Sequence, residues 1–419
     1  MKCQCWPLFI GLFLVSASFA QTSATPRAIT WQEAESRFRA NNPTLLAGKV
    51  NIDEARADEI TAYLRPNPNL NLTADDLGFF SYTPFQPTAN AILAGSVDYL
   101  HERKHKRELR LLGAQKATAV AISTQADLER NLLFSLRDAF VRVLLAKSVT
   151  QLAQENIAYY DKEIEISKSR LEAGAMARVD FQRVELQRVQ YEADLATARV
   201  NLRTAKIDLL QFLHDRTPVD EFDVSESFDY AEPAIKLDEM KSAAIDARPD
   251  LKEAQQTLEM ARVDHRLAEA NGSADPTWAA DVGRQPPLSF YAGVSVSIPL
   301  RIFDKNQGEK LKTQLDIGRN EKLRDASEVS VLHDVESAYA SVQSTLGQLR
   351  PYRERYLKEA VDVRETISFS YLHGASSLVE FLDAQRAYRD TQLSYLNLVG
   401  AYLSAVNQLN FAVGREVIR

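Results

Sequence analysis

The sequence repeats itself at a spacing of about 200 residues, and this duplication constrains the fold more than any other feature. The segments LEAGA at 171–175 and VDF at 179–181 align without a gap with YLHGA at 371–375 and VEF at 379–381. Upstream, NPTL at 42–45 resembles RPDL at 248–251, and each proline opens a stretch with helical periodicity. Several matches in the same order favour duplication over chance. We therefore predict two equivalent structural repeats.

The duplication divides the chain into four predicted parts. Residues 1–20 resemble a secretory signal peptide, because Lys2, an apolar stretch and the small residues Ser18 and Ala20 follow one another in the expected order. The repeats are residues 21–214 and 235–419, and the acidic stretch 215–234 joins them as a solvated linker.

The two cysteines of the sequence, Cys3 and Cys5, precede the apolar stretch of the signal peptide. Neither can be the first residue of a mature lipoprotein. We expect the mature chain to begin at Gln21, to contain no cysteine or disulfide, and to carry no lipid.

Each repeat contains two segments in which apolar and polar residues alternate, the pattern of a half-buried strand. They predict β-hairpins at about 67–100, with a loop near 81–87, and at about 275–300, with a connection at 283–287. Strands of this length suit a tilted crossing of a bilayer, although water-soluble hairpins show the same pattern. Past residue 20, no apolar run is long enough for a spanning helix.

Two long stretches, from about Glu102 to Ala173 and from Gln307 to His373, contain few helix breakers and could each reach ~100 Å as one helix. In both, apolar residues recur every seven residues, which predicts coiled-coil packing. The seams are Leu136, Val143, Thr150 as a polar exception, Ile157, Ile164 and Leu171 in the first, and Val335, Tyr339, Val342, Leu346, Leu349, Arg353, Tyr356, Ala360, Val363 and Ile367 in the second. Gly174 and Gly374 then mark the turns of two long helical hairpins.

Several function classes find little support. The net charge of -7 provides no basic field for nucleic acid. No phosphate-binding glycine loop, metalloprotease histidine pair or Ser/His/Asp set occurs, so we expect neither an enzyme nor a cofactor. His101 and His105 are spaced to share a helix face, but they lie in a basic run, which favours a solvated helix start over a metal site.

Four strands per chain raise a physical problem, because transmembrane barrels need at least about eight and an open sheet edge in lipid leaves amides unpaired. Several chains would have to combine if the hairpins cross a membrane. Three copies would supply twelve strands.

The duplicated motifs, the hairpins, the Gly-x5-Asp/Glu tips and the run SIPL…FDKNQG at 297–308 resemble the outer membrane factor (TolC) family over essentially the whole mature chain. The resemblance implies a mainly α-helical fold with a membrane β-barrel part. In it, a homotrimer forms a 12-stranded barrel in the outer membrane and a helical tunnel in the periplasm.

The implied function is that of an exit duct in a tripartite efflux system, with a periplasmic adaptor (membrane fusion protein) and an inner-membrane pump of the resistance-nodulation-division type as partners. The 299–308 run is similar to members paired with heavy-metal resistance pumps, which suggests metal cations as substrates. Type I secretion and multidrug or solvent efflux are alternatives. A periplasmic coiled-coil adaptor also remains open.

The resemblance places the site residues at the hairpin tips. It implies that Tyr371 bonds to Asp180 to close the channel and that Glu380 and Asp383 line the narrowest ring. Ser376 stands where the family pattern has an arginine that makes another closing bond. From the residues alone, complementing the N-termini of helices is the favoured role of Asp180 and Glu380.

The tip turns should dock the partner. Gly174, Ala175, Gly374 and Ala375 form the turns, and we expect their neighbours to be exposed and small or unbranched, namely Met176, Ala177, Ser376 and Ser377.

Overall fold

The computed structural model describes residues 27–77, 91–232 and 236–418 of the 419-residue chain. The predicted signal peptide and the predicted loop near 81–87 lie outside this part. The helices are α1 (Trp31–Asn41), α2 (Pro43–Tyr63), α3 (Lys106–Glu172), α4 (Arg178–Leu213), α5 (Leu237–Ala247), α6 (Pro249–Asn271), α7 (Gln307–Pro351), α8 (Leu357–Leu372) and α9 (Leu378–Val413). The strands are β1 (Arg27–Ile29), β2 (Asn69–Asp75), β3 (Ile92–Leu100), β4 (Phe222–Val224), β5 (Thr277–Gln285) and β6 (Leu288–Ser297).

The order of elements is the same in the two halves: a short strand, two helices, a β-hairpin and a long helical hairpin. The matching prolines have the same structural role, since Pro43 begins α2 and Pro249 begins α6. In the first half the side chain of Asn42 caps the helix by accepting a hydrogen bond from the amide of Leu45 (3.0 Å). The duplication seen in the sequence is thus present in the fold.

The acidic stretch between the repeats is not the solvated linker that its composition predicts. Its residues Phe222 and Val224 are buried, and β4 pairs in parallel with β1 at the start of the chain. Asp223 between them is held by Lys147 (2.7 Å) and Lys206 (3.2 Å), which lie on α3 and α4. Two apolar residues suffice for this short strand. The composition of the stretch is dominated by the surrounding acids, so it does not reveal the strand.

The two β-hairpins join into a single antiparallel sheet of four strands in the order β2-β3-β5-β6. The central pairing, of β3 with β5, matches Val97 with Ala280. The predicted connection at 283–287 is too long, because β5 continues to Gln285, past a register irregularity, and only Pro286 and Pro287 separate it from β6.

The first predicted rod is one helix, α3, of 67 residues, or ~100 Å. It begins at Lys106 rather than at Glu102, so His101 and His105 precede it. Its seam residues Leu136, Val143 and Thr150 are buried, and the hydroxyl of Thr150 donates a hydrogen bond to the carbonyl of Ala198 on α4 (3.2 Å).

The second predicted rod is interrupted. Pro351 ends α7, and residues Tyr352–Tyr356 form one turn of π-helix before α8 begins. The predicted seam is buried at Val335, Val342, Leu346 and Leu349. Tyr356, the last residue of the π turn, and Val363 beyond it are instead 37% and 50% exposed. A π turn inserts one extra residue into the helix and rotates everything after it. The seven-residue prediction is therefore wrong at Tyr356 and Val363, whereas Ile367 at its end packs against buried residues near the hairpin tips.

Each half has its own hydrophobic core near the base of its helical hairpin. Phe38, Leu136, Phe140, Leu209 and Phe222 contribute to the first core. The second includes Leu251, Val335, Leu346, Tyr402 and Leu409. In the described part of the chain, every helix lacks either the length or the apolar character needed to cross a bilayer.

Candidate functional site

The two helical hairpins turn in the same way at their tips. Gly174 follows α3 and Gly374 follows α8, and both adopt the left-handed conformation, with φ of +74° and +77°. In both turns the next residue bonds back to the helix: the amide of Ala175 donates to the carbonyl of Arg170 and that of Ala375 to Ser370, both at 2.8 Å. The prediction that the two glycines end helices is confirmed, because other residues at this φ would be strained.

A small aromatic cluster holds the two hairpins together just behind the tips. Tyr371 stacks on Phe381 with ring centroids 4.8 Å apart, and Tyr160 lies 4.7 Å from Tyr191. All four are buried, together with Val184. We call these five residues the tip cluster. It contains residues of α3, α4, α8 and α9, so a displacement of either hairpin must disturb it.

Tyr371 also receives a contact from the first hairpin. The guanidinium of Arg170 lies 5.1 Å from its ring centre and donates a hydrogen bond to its carbonyl (3.1 Å). Burial raises the pKa of the Tyr371 hydroxyl, Arg170 opposes the rise, and the nearby carboxylate of Asp180 adds to it. Within the described part of one chain Tyr371 and Asp180 share no hydrogen bond, and Asp180 instead lies 3.6 Å from Arg183 on its own helix. The closing bond between them stays a prediction.

Glu380 has a local role at the start of α9. Its amide donates to the hydroxyl of Ser377 (3.2 Å), and its carboxylate accepts from the amide of Ser377 (2.7 Å), which is a capping box. The backbone N–H of Ser377, followed by its hydroxyl, lowers the pKa of Glu380. This agrees with the alternative role of Glu380 at a helix N-terminus, and the pattern Ser377-x-x-Glu380 is the sequence signal for it. Asp383, one turn further, is exposed and has no such contact among the described residues.

The six small or unbranched residues beyond the glycines are not equally available. Ala175, Ala177, Ala375 and Ser377 are exposed as predicted. Met176 is half-buried against the tip cluster, Ser376 is half-buried, and the hydroxyl of Ser377 is used in the capping box. A partner would therefore meet mainly alanines at the two turns.

A buried acid between the hairpins was not anticipated from the sequence. Glu163 on α3 is 7% exposed, and burial raises the pKa of its carboxyl against the opposing effects of Tyr159 and Arg364. The guanidinium of Arg364 on α8 lies 3.7 Å from the ring centre of Tyr388 and 4.4 Å from that of Tyr159. Glu163 Oε2 and Arg364 Nε are both buried without a hydrogen-bond partner. Glu163 lies in a run of charged residues, so nothing in the sequence distinguishes it.

The four-stranded sheet has two different faces. The register places one set of apolar residues side by side, and many of them are exposed, for example Leu72 (78%), Phe290 (69%) and Val294 (88%). Further members of this apolar face are Leu70, Leu93, Val97, Tyr99, Trp278, Ala280, Val282, Ala292 and Val296. The opposite face is mostly polar, and there Asn71 donates a hydrogen bond to Asp98. No other part of the described chain covers the apolar face.

Helix α4 carries a second exposed apolar surface. Val179, Leu186, Val200 and Ile207 are 47–71% exposed and lie seven or fourteen residues apart. Ala193 fills the missing step and is also exposed. We call these five residues the α4 seam. Such a seven-residue repeat on one face of a helix is the pattern of a coiled coil that lacks its partner.

In the part of the chain that the structure describes, no group of three or more His, Cys, Asp or Glu side chains is arranged to hold a metal ion. The side chain of His105 is 86% exposed and lies 3.9 Å from Glu108. Together with His101 it lies before α3 and not on a shared helix face.

Comparisons with known proteins agree with this geometry. A family model described as outer membrane efflux protein matches residues 241–415. The chain is 23% identical to the cobalt-zinc-cadmium resistance protein CzcC of Cupriavidus metallidurans, covering 95% of this chain and 92% of that protein. It is 24% identical to the outer membrane protein TolC of Vibrio cholerae, covering 97% and 94%.

Solved structures share the fold at lower identity. The structure of CusC superposes with a TM-score of 0.78 at 18% identity and covers 92% of both chains. The open state of the MtrE outer membrane channel of Neisseria gonorrhoeae gives a TM-score of 0.76 at 16% identity, covering 92% of this chain and 89% of that one.

Proposed function

We propose that the chain is a member of the outer membrane efflux protein (TolC) family, which its likeness to the family model and to CzcC and TolC supports. Three copies would then form the exit duct of a tripartite efflux system. Substrates would pass through it passively from the periplasm to the exterior. The duct itself needs no catalytic group.

The observation that carries the proposal is the sheet with one exposed apolar face and one polar face. A sheet in water buries its apolar side against other elements, and this one does not. An apolar face turned towards lipid and a polar face turned towards a lumen is the arrangement of outer-membrane proteins.

The trimer is supported by two features of the single chain. The sheet ends in two open edges, β2 and β6, which are costly in lipid unless neighbouring copies pair with them. The α4 seam provides an apolar contact of the same kind along the helical part. Three four-stranded sheets then close into a barrel of twelve strands.

The tips are the proposed docking point for a periplasmic adaptor, which would connect the duct to an inner-membrane pump of the resistance-nodulation-division type. Exposed Ala175 and Ala375 permit the close approach of a partner helix. Ala175→Glu combined with Ala375→Glu should abolish efflux while leaving trimers in the membrane, whereas serine at both positions should be tolerated. Unchanged resistance in the glutamate variant would contradict docking at the tips.

The gate is proposed at the same end. Glu380 and Asp383 from three copies would bring six carboxylates around the axis, and Tyr371 with Asp180 would help to hold the closed form. The tip cluster and the Arg170 contact support this, because they couple the two hairpins at the level of the turns.

The proposed substrates are transition-metal cations, since CzcC is named for cobalt, zinc and cadmium resistance. TolC relatives at similar identity keep multidrug or solvent efflux and type I secretion as second candidates. We further propose export by a cleaved signal peptide and an outer-membrane location without a lipid anchor.

Fractionation followed by a resistance assay tests the proposal. The mature protein should remain in the outer-membrane fraction, and its detergent extract should have the mass of a trimer. In a strain that lacks its own metal-efflux duct, the chain with its cognate pump and adaptor should restore growth on zinc or cobalt. A monomer in the soluble periplasmic fraction would contradict the duct and favour an adaptor. Restored resistance to drugs alone would contradict the metal assignment.

A further inference from the structure

All four connections between strands and helices lie at one end of the sheet. Strands β2 and β5 begin there and β3 and β6 end there, as the antiparallel register requires. Three of the segments around this end, residues 60–65, 101–105 and 298–305, form what we call the collar. It lies where the apolar face of the sheet gives way to the helices.

The collar exposes large apolar side chains to an unusual degree. Phe303 is 89% exposed and Leu300 is 80% exposed. The other large apolar side chains of the collar are also exposed, namely Ile302 (64%), Leu64 (61%) and Ile60 (69%). These residues contribute to none of the hydrophobic clusters in the described part of the chain. The segments that carry them adjoin the end of the apolar face, where Trp278 pairs with Tyr99 and Val296.

The collar is also basic, in a chain whose net charge is -7. Lys104, Lys305 and Arg65 are exposed and have no ion-pair partner among the described residues. Lys104 and the following His105 adopt φ of +60° and +57° in a turn directly before α3. Arg301 is exposed and only loosely paired, 3.8 Å from Asp304.

The acids Glu102, within the collar, and Asp275, next to it, are neutralised by basic partners. Arg110 forms an ion pair with Glu102, and Lys106 with Asp275 (2.6 Å). Arg103 adds a bond from its amide to Asp275 (2.9 Å). The charge left for a partner is therefore positive.

We propose that the collar binds the headgroups of anionic phospholipids in the membrane leaflet on the helical side of the sheet. Leu300, Ile302 and Phe303 would enter the boundary of the acyl chains, and Lys104, Arg301 and Lys305 would contact the phosphates. Apolar and basic side chains in one belt are the combination that an anionic lipid surface attracts. This inference rests on the proposed function, because it requires the sheet to lie in a membrane.

Trp278 provides a probe at the right place. It is the second residue of β5, it is 55% exposed, and it pairs with Tyr99 and Val296 at the collar end. The other tryptophan outside the predicted signal peptide, Trp31, packs on Phe140 and can be removed as Trp31→Phe. Brominated lipids quench tryptophan fluorescence only at close range.

The purified full-length mature protein with Trp31→Phe is reconstituted into vesicles of mixed phosphatidylcholine and phosphatidylglycerol. Two samples are compared by tryptophan fluorescence: in one the phosphatidylcholine is brominated, and in the other the phosphatidylglycerol. Phosphatidylglycerol should associate near Trp278 about fivefold or more in preference to phosphatidylcholine, the factor expected from one basic side chain at an anionic surface. The variant with Lys104→Gln, Arg301→Gln and Lys305→Gln should lower the preference several-fold, since Arg65 is then the one cation without an ion-pair or side-chain hydrogen-bond partner that remains among the described collar residues. The exchanges Lys104→Arg, Arg301→Lys and Lys305→Arg should keep it.

Three exposed cations remote from the sheet serve as the matched control, and Arg216→Gln, Lys236→Gln, Lys358→Gln should leave the preference unchanged. Equal quenching by the two lipids before mutation, or a preference that the three glutamine substitutions leave unchanged, would overturn the inference. Quenching by neither lipid would mean that the sheet is not inserted, which contradicts the proposed function itself. Added inorganic phosphate should not compete, because the site is proposed for lipid headgroups at a surface.

Discussion

The two acids at the start of α9 differ in what surrounds them. Glu380 is bound to Ser377 through both its amide and its carboxylate, whereas Asp383 is exposed without such bonds. The family resemblance assigns both to one ring, but the contacts within the chain give Glu380 a structural role as well. Their substitutions should therefore have different effects.

Asp383→Asn should weaken the cation preference of the channel without weakening α9. Glu380→Gln should do both, because it also loses the charged half of the capping box. Ser377→Ala is the matched control: it removes the cap, at a cost of about 1 kcal/mol, without changing a charge. Planar-bilayer recordings of ion preference, together with thermal unfolding, separate the two effects. An Asp383→Asn channel with unchanged preference would argue against the ring.

Glu163 permits a prediction about pH. Burial raises the pKa of its carboxyl in the folded state, so folding favours the protonated form. The ionised form then destabilises the fold at pH above the folded pKa, and this cost disappears below the pKa of the unfolded chain, which is about 4.5. Glu163→Gln should accordingly raise the unfolding temperature at neutral pH, and the difference should shrink as the pH falls towards 4.5.

The groups that face Glu163 are Tyr159 on the same helix and Arg364 from α8. The exposed neighbour Glu165→Gln is the control, and it should show no comparable dependence on pH. A stabilisation by Glu163→Gln that is equally large at pH 4 and pH 7 would mean that packing, not ionisation, causes it.

At the scale of elements, the sequence predicted most of what local patterns determine. Period-two alternation located both β-hairpins, and the steps of four and three located the seam as far as Leu349. The π turn at Tyr352–Tyr356 was not predicted. The apolar spacing continues through it, and one inserted residue does not change the composition. Strand β4 was not predicted for a different reason. Its partner β1 lies nearly 200 residues earlier, and Phe222 and Val224 become buried only through that pairing.

The π turn should be required for the second hairpin. Deletion of Glu354 would restore a regular α-helix and rotate α8 by about 100°. Tyr356 and Val363 would then turn inwards, and buried Ser368 and Tyr371 would turn away from the tip cluster. We expect loss of efflux and poor trimer yield.

Glu354→Ala, which keeps the number of residues, is the control and should be nearly neutral. Resistance assays and trimer yield from the membrane fraction measure both variants. Full activity of the deletion variant would show that the register of α8 is unimportant.

At the scale of the whole molecule, duplication and the position of the tips could be predicted, but the contacts between the halves could not. The tip cluster combines Tyr160 and Tyr191 of the first hairpin with Tyr371 and Phe381 of the second. Each is an ordinary aromatic residue in its own helix. Only the side-by-side arrangement of the hairpins turns them into one site.

The α4 seam leads to a prediction about assembly. Leu186→Asp with Val200→Asp places two charges on a surface that we expect to be buried between subunits, so trimers should be lost. Ile245→Asp, at a comparably apolar but separate exposed position on α5, should leave trimers intact. Native mass spectrometry of the detergent extract distinguishes the outcomes, and intact trimers of the double variant would place the subunit contact elsewhere.

The pairing of β3 with β5 also fixes an order of events in time. Leu93 faces Arg284, about 190 positions later in the chain. During the proposed export, the first long helical hairpin can fold from contacts between neighbouring segments. The first β-hairpin, in contrast, keeps an unpaired edge until the second has crossed the inner membrane. Because an open edge is too costly in lipid, entry into the outer membrane must wait for the end of β6. A nascent chain that stops at residue 232 should therefore remain in the soluble periplasmic fraction, and its recovery in the outer membrane would show that insertion begins earlier.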